Sequence, residues 1–120
     1  MADALALVDD LFFQAKMLET AKQLSVQLRT LSTSDALLNE AAKSAPHLII
    51  VDLNAKDHPV ETIARLQVQS PQLPIVAFLS HVQMNLAQRA RAAGCANVMP
   101  RSQFTHELAT ILLRAKSQSS

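Results

Sequence analysis

The strongest constraint on the fold of this chain is an unbroken apolar run, made of Leu48, Ile49, Ile50 and Val51 and closed by Asp52. The run is rich in β-branched side chains, and polar and apolar positions do not alternate within it. Such a pattern is typical of a strand buried on both faces, as in the middle of a parallel sheet. The run therefore predicts a central strand that ends in a carboxylate.

The rest of the chain alternates between short apolar runs and segments of helical periodicity. The other predicted strands are residues 5–8, 26–30, 75–79 and 97–99. Pro59 is placed for the first turn of the third helix, and Gly94 is placed to end the fourth. Five strands, each followed by a helix, predict an α/β fold, a doubly wound five-stranded parallel sheet of order 2-1-3-4-5 with helices on both faces, flavodoxin-like or CheY-like.

The chain has 120 residues, of which 49% are apolar and 18% charged, and this predicts one domain over residues 1–120 with a polar tail at 117–120. Its net charge of +1 gives no electrostatic footprint for nucleic acid or a membrane surface. The single Cys95 fits a reducing compartment, and no secretory signal or membrane-spanning run is present, so we expect a cytoplasmic protein. With one glycine, positive backbone φ angles are expected to be few or to fall on Asn and Asp.

Polar residues cluster at the carboxyl ends of the predicted strands, where ligands bind in such sheets. They are Asp9, Asp10, Asp52, Asn54, Ser80 and Arg101. Three carboxylates are thus expected to converge beside a hydroxyl and a guanidinium. Crowded carboxylates favour a hard cation such as Mg²⁺, and a carboxylate beside that ion can attack a phosphoryl group. Taken singly, the same residues have plainer interpretations: the aspartate pair or Ser80 as helix caps, and Arg101 as a solvated surface residue.

In order and spacing, segments 8–10, 48–54, 79–80 and 98–101 resemble the receiver domains of two-component response regulators, the CheY-like family. The resemblance implies phosphorylation of Asp52. It implies that Asp9, Asp10, Asp52 and the backbone carbonyl of Asn54 hold Mg²⁺. It also implies that Ser80 is the switch hydroxyl and that Arg101 contacts the phosphate.

Several positions depart from the family pattern, among them the loop 55–59, which lacks the usual Asp-Gly turn. Arg101 replaces the usual Lys, and Ser102 stands where Pro is usual. Val98 occupies the position of the aromatic switch residue, and His81 follows Ser80 where a small residue is usual.

The resemblance implies a signalling domain rather than an enzyme. It would accept a phosphoryl group from a histidine kinase or phosphotransfer protein and relay the signal to a downstream protein. From the balanced charge we expect no nucleic acid or membrane partner. A homodimer through the last helix is compatible with the sequence. The departures favour an alternative, a pseudo-receiver that binds a protein partner without phosphorylation. An aspartyl hydrolase of the haloacid-dehalogenase type fits less well, because Asn54 stands where those enzymes need a second Asp.

Overall fold

The run that begins at Leu48 forms the central strand of a five-stranded parallel sheet in the computed structural model, which describes residues 2–80 and 83–116. In chain order, the elements are β1 (Ala4–Leu7), α1 (Leu11–Gln23), β2 (Leu28–Leu31), α2 (Ser34–Ser44), β3 (Leu48–Asp52), α3 (Pro59–Gln69), β4 (Ile75–Leu79), α4 (Met84–Ala92), β5 (Asn97–Pro100) and α5 (Arg101–Ala115). The strand order is β2-β1-β3-β4-β5, so the predicted fold class and topology are confirmed.

Both faces of the sheet are covered, which explains why β3 shows no polar alternation. Ile50 points into a core formed with α1 and α5, where Phe13 and Leu108 are buried. Ile49 and Val51 point into a second core formed with α2, α3 and α4. Every residue of β3 is buried, as expected for a strand between two helical layers.

Helix boundaries differ from the sequence expectation where a neighbouring residue makes the better cap. The sequence favoured Ser34 or Asp35 as the cap of α2, but the Thr33 hydroxyl accepts the Ala36 N–H at 3.2 Å. Ser34 lies inside the helix, and its hydroxyl forms a 2.5 Å hydrogen bond with the Thr62 hydroxyl of α3.

Positive φ angles fall on residues that the sequence did not predict. Among the described residues they occur at Ser25, Ala45, His58 and Gly94, so they are few, as expected, but none falls on Asn or Asp. Ala45 and His58 are the caps that end α2 and precede α3. Gly94, with φ +117°, follows α4 as predicted, and a Cβ there would lie 2.8 Å from the Gln67 side chain.

No helix within the described part of the chain is both long and apolar enough to cross a lipid bilayer. The cytoplasmic location inferred from the sequence stays a prediction.

Candidate functional site

The carboxyl ends of β1, β3, β4 and β5 lie side by side because these strands are successive neighbours in a parallel sheet. Side chains two positions apart in a strand share a face. Asp10 continues the face of Val8, Asp52 that of Ile50, and Arg101 that of Met99, all on the side covered by α1 and α5. The strand order and the alternation of side chains between faces therefore bring Asp10, Asp52 and Arg101 together at one edge of the sheet.

Asp10 has two roles at this edge. It caps α1, because its Oδ1 accepts the Phe13 N–H at 3.1 Å. Its Oδ2 accepts a hydrogen bond from Arg101 Nη1, also at 3.1 Å. The helix-cap interpretation is thus confirmed for Asp10, and the same carboxylate also forms an ion pair across the site.

Asp52 is the most deeply placed carboxylate of the site, with a side chain only 2% exposed. Its Oδ1 accepts the Asn54 N–H at 2.9 Å. Its Oδ2 lies 3.5 Å from Arg101 Nη2. Each Asp52 oxygen therefore already has a protein partner.

Arg101 is held between the two carboxylates and is not a freely solvated surface residue. Its side chain is 28% exposed, and its guanidinium carbon lies 4.5 Å from the Phe13 ring centroid and 5.6 Å from that of Phe78. A cation over aromatic faces is stabilised by the ring quadrupole. Its Nε is buried and makes no hydrogen bond to any described residue. Packing on the two rings and charge pairing therefore fix this side chain.

The local environment moves the two carboxyl pKa values in opposite directions. The Phe13 N–H, and then the Arg101 guanidinium, lower the pKa of Asp10 below its usual value. Burial raises the pKa of Asp52, although the Asn54 N–H and Arg101 oppose the rise. The charges of Asp9 and Asp10 add to that increase. The site is thus crowded with negative charge, and Arg101 offsets only part of it.

The expected ligands of Mg²⁺ do not form one ligand set. Asp9 Oδ2 accepts the Lys56 N–H at 2.9 Å, while Arg101 lies between Asp10 and Asp52. Within residues 2–80 and 83–116, no three Asp, Glu, His or Cys side chains are grouped to hold a metal ion. The arrangement does not fit a divalent cation, because a permanent positive charge lies between two of the carboxylates.

Asn54 contributes its side chain, whereas only its backbone carbonyl was expected to take part in the site. Its Oδ1 accepts the Ser80 N–H at 2.5 Å, and its Nδ2 donates to Gln83 Oε1 at 2.9 Å. Ser80 is exposed and does not cap α4, whose N-cap is Gln83. The ends of β3 and β4 and the start of α4 are therefore tied through one amide. No local pattern marks a contact of 26 residues' separation.

The atypical positions lie in different surroundings. Val98 is half-buried and packs against the core on the side of α2, α3 and α4. Ser102 is exposed in the first turn of α5. His81 lies outside the described residues.

Asp52→Asn should raise the free energy of unfolding near neutral pH. The folded-state pKa of Asp52 is raised, so its contribution to stability is present at low pH and is lost as pH rises through that pKa. Asn removes the unfavourable charge and keeps an oxygen for the Asn54 N–H. We expect Tm to rise by a few degrees at about pH 7 and the difference to vanish towards about pH 3.

Thermal unfolding followed by circular dichroism across this pH range measures the effect. Asp35→Asn is the matched control, because the Asp35 side chain is 88% exposed and lies in the first turn of α2, so its neutralisation should not raise Tm. A lower Tm for Asp52→Asn at neutral pH would contradict the prediction.

No family model matches the chain, and no curated protein matches its sequence. Solved structures do match. The receiver domain of NtrX from Brucella abortus has 20% identity and a TM-score of 0.81, with 97% of this chain and 99% of that chain covered. The chemotaxis response regulator CheY4 of Vibrio cholerae has 21% identity and a TM-score of 0.81, with 96% and 98% covered.

The beryllofluoride-activated NtrC4 receiver domain dimer has 13% identity and a TM-score of 0.77, with 94% of this chain and 98% of that chain covered. A longer NtrX structure also matches, and the chain spans 26% of it. At identities this low, the likeness concerns the arrangement of the backbone. Together with the strand order, it shows that this chain has the fold of response-regulator receiver domains.

Proposed function

We propose that the chain is a receiver-type signalling module that acts through contacts with a protein partner and does not depend on phosphorylation of Asp52. The observation that carries this proposal is the Arg101 guanidinium, 3.1 Å from Asp10 and 3.5 Å from Asp52. Two of the three carboxylates are thereby paired with a cation of the chain itself, which supports a resting state without a phosphoryl group.

The charge on Arg101 is permanent, which matters for phosphoryl transfer. A guanidinium is not deprotonated in proteins, and it offers hydrogen bonds only as a donor. Its Nη2 lies 3.5 Å from the Asp52 oxygen that does not bond to Asn54, so the ion pair covers that oxygen. Attack by Asp52 on a phosphoryl donor would therefore require the ion pair to open first.

The surface between β5 and α4 also supports partner binding that does not depend on an aromatic switch residue. Val98 has no ring to rotate, and it lines an apolar groove between α4 and β5. Met84 lines the same groove and is 70% exposed. An apolar groove that is open in the unmodified protein supports binding of a protein partner in that state.

Intact-mass analysis after incubation with Mg²⁺ and acetyl phosphate tests the proposal. We expect the parent chain to stay unmodified under conditions that fully modify an active receiver run alongside it. Asp52→Asn is the matched variant, because it removes the acceptor oxygen while keeping the side chain's shape. A labile single-phosphoryl adduct on the parent, absent from Asp52→Asn, would overturn the proposal.

That adduct is the outcome expected from the second candidate function, a phosphoryl-accepting receiver. The burial of Asp52 at the end of the central strand favours this candidate, since a buried carboxylate is costly without a role. Its step would form a bond between an Asp52 oxygen and phosphorus and release the donor's leaving group, acetate for acetyl phosphate. Arg101 would then turn from Asp52 to the phosphoryl oxygens.

A further inference from the structure

We propose that Asn54 is a positioning residue that couples Asp52 to the apolar groove between α4 and β5. Its backbone is bonded to the Asp52 carboxylate, and its side-chain amide is bonded to Gln83, which lines the groove. This coupling goes beyond the proposed function, because it lies within the chain and holds whether or not Asp52 accepts a phosphoryl group. It also needs no aromatic side chain at Val98.

The backbone around Asn54 is fixed to Asp52 and to the end of β4. The Asn54 N–H donates to Asp52 Oδ1 at 2.9 Å. On one side of Asn54, the Leu53 N–H donates to the Phe78 carbonyl at 2.8 Å. On the other side, the Ala55 N–H donates to the Asp52 carbonyl at 3.0 Å. Because hydrogen bonds hold the backbone on both sides, a change at the Asp52 carboxylate also changes the position of Asn54.

The side chain of Asn54 links that position to β4 and α4. Its Oδ1 accepts the Ser80 N–H at 2.5 Å, and its Nδ2 donates to Gln83 Oε1 at 2.9 Å. Ser80 directly follows β4, and Gln83 directly precedes α4. A carboxylate would offer no donor to Gln83, whereas an amide is an acceptor and a donor at once. The two hydrogen bonds therefore fix the orientation of the amide, and with it the spacing between the end of β4 and the start of α4.

The start of α4 depends on this contact because few other interactions hold it. Gln83 is the N-cap, but among the described residues its side chain makes no capping bond to the helix. The first turn carries no acidic side chain to interact with the helix dipole. Of residues 84–92, all within the described part of the chain, only Ala90 is buried. Gln83 and Met84 both line the groove, so the Asn54 amide helps to set the position of this groove wall.

NMR of the full chain, labelled at the methionine methyl groups, tests the coupling. Met84 lies on the α4 side of the groove, next to Gln83, whereas Met99 packs against the core on the face that carries Asp52. Asp52→Ala removes the oxygen that holds the Asn54 N–H, and it should shift both methyl signals in the parent chain. In an Asn54→Ala background, we expect the Met84 response to fall about threefold and the Met99 response to remain.

Variants of Gln83 distinguish the hydrogen bond from a general loosening of the structure. Gln83→Glu keeps an acceptor for Asn54 Nδ2 and should keep the Met84 response, whereas Gln83→Ala should lose it. Gln88→Ala is the matched control, because Gln88 lines the same groove and its truncation should leave the response intact. The coupling is refuted if the Met84 response is absent from the parent chain, survives Asn54→Ala, or is lost together with the Met99 response.

Native-state amide hydrogen exchange is a second measurement, and it needs no substitution at Asp52. The Ala87 N–H donates to the Gln83 carbonyl at 3.0 Å, in the first turn of α4. We expect Asn54→Ala to speed exchange of this amide about fivefold, because the first turn opens more often without its anchor. Gln88→Ala should leave the rate unchanged. An unchanged rate in Asn54→Ala would overturn the inference, whereas an adduct in the acetyl phosphate experiment would overturn only the proposed function.

Discussion

Phe13→Ala should lower the free energy of unfolding by about 3–5 kcal/mol, a large fraction of the total stability of a small domain. Phe13 is 7% exposed, and its ring packs against Phe78 at 5.1 Å and Phe104 at 5.9 Å between centroids. Truncation leaves a cavity beside the two remaining rings, those of Phe78 and Phe104. It also removes the nearer of the two faces on which the Arg101 guanidinium rests.

Phe12→Ala is the matched control, because it makes the same chemical change one position earlier on a side chain that is 92% exposed. Its effect should stay within about 0.5 kcal/mol. Urea unfolding of both variants, followed by circular dichroism, measures the difference. Similar losses of unfolding free energy for the two variants would contradict the packing of Phe13 in the core and the exposure of Phe12.

The second large effect is expected from a double-mutant cycle between Arg101 and Asp52. Arg101→Met leaves the 2%-exposed Asp52 carboxylate without its cation, and we expect a loss of about 2 kcal/mol at neutral pH. This is below the usual cost of breaking a fully buried pair, because the Arg101 side chain is 28% exposed. In an Asp52→Asn background, the same substitution should cost less than about 1 kcal/mol, since only the more exposed Asp10 carboxylate then loses its partner.

Arg101 also pairs with Asp10, so the coupling between Arg101 and Asp10 has to be measured separately in a second cycle. The Asp10 carboxylate is more exposed and is also held by the Phe13 N–H, so its coupling with Arg101 should be smaller than that of Asp52. Additive effects of Arg101→Met and Asp52→Asn would remove the basis for treating Arg101 as the cation of this site.

The topology was predictable from the sequence because each element carries its own local signal. The apolar run of β3 has no polar alternation, since α1 and α5 cover one face of it and α2, α3 and α4 the other. Pro59 and Gly94 mark helix ends through backbone constraints that act within a few residues. Caps such as Thr33 are chosen among adjacent hydroxyls by small geometric differences, which sequence patterns do not resolve.

The composition of the site was predictable, but its pairing was not. Asp10, Asp52 and Arg101 were identified by their positions at strand ends. Because side chains alternate between the two faces of a sheet, these three lie on the same face. The expectation was that the carboxylates bind a metal ion and that Arg101 contacts a phosphate. That assignment followed residue types, whereas the ion pairs depend on the length of the Arg101 side chain and on the two rings beneath it.

The central claim is that Asp52, paired with Arg101, does not accept a phosphoryl group. Its most direct test is a titration of the ¹⁵N-labelled chain with Mg²⁺ and beryllofluoride, a phosphoryl mimic, followed by two-dimensional NMR. We predict no saturable shifts of the Asp10, Asn54 and Ser80 amides in the parent chain. Saturable shifts of these amides, absent from Asp52→Asn, would contradict the account by showing that Asp52 accepts a phosphoryl analogue with Arg101 in place.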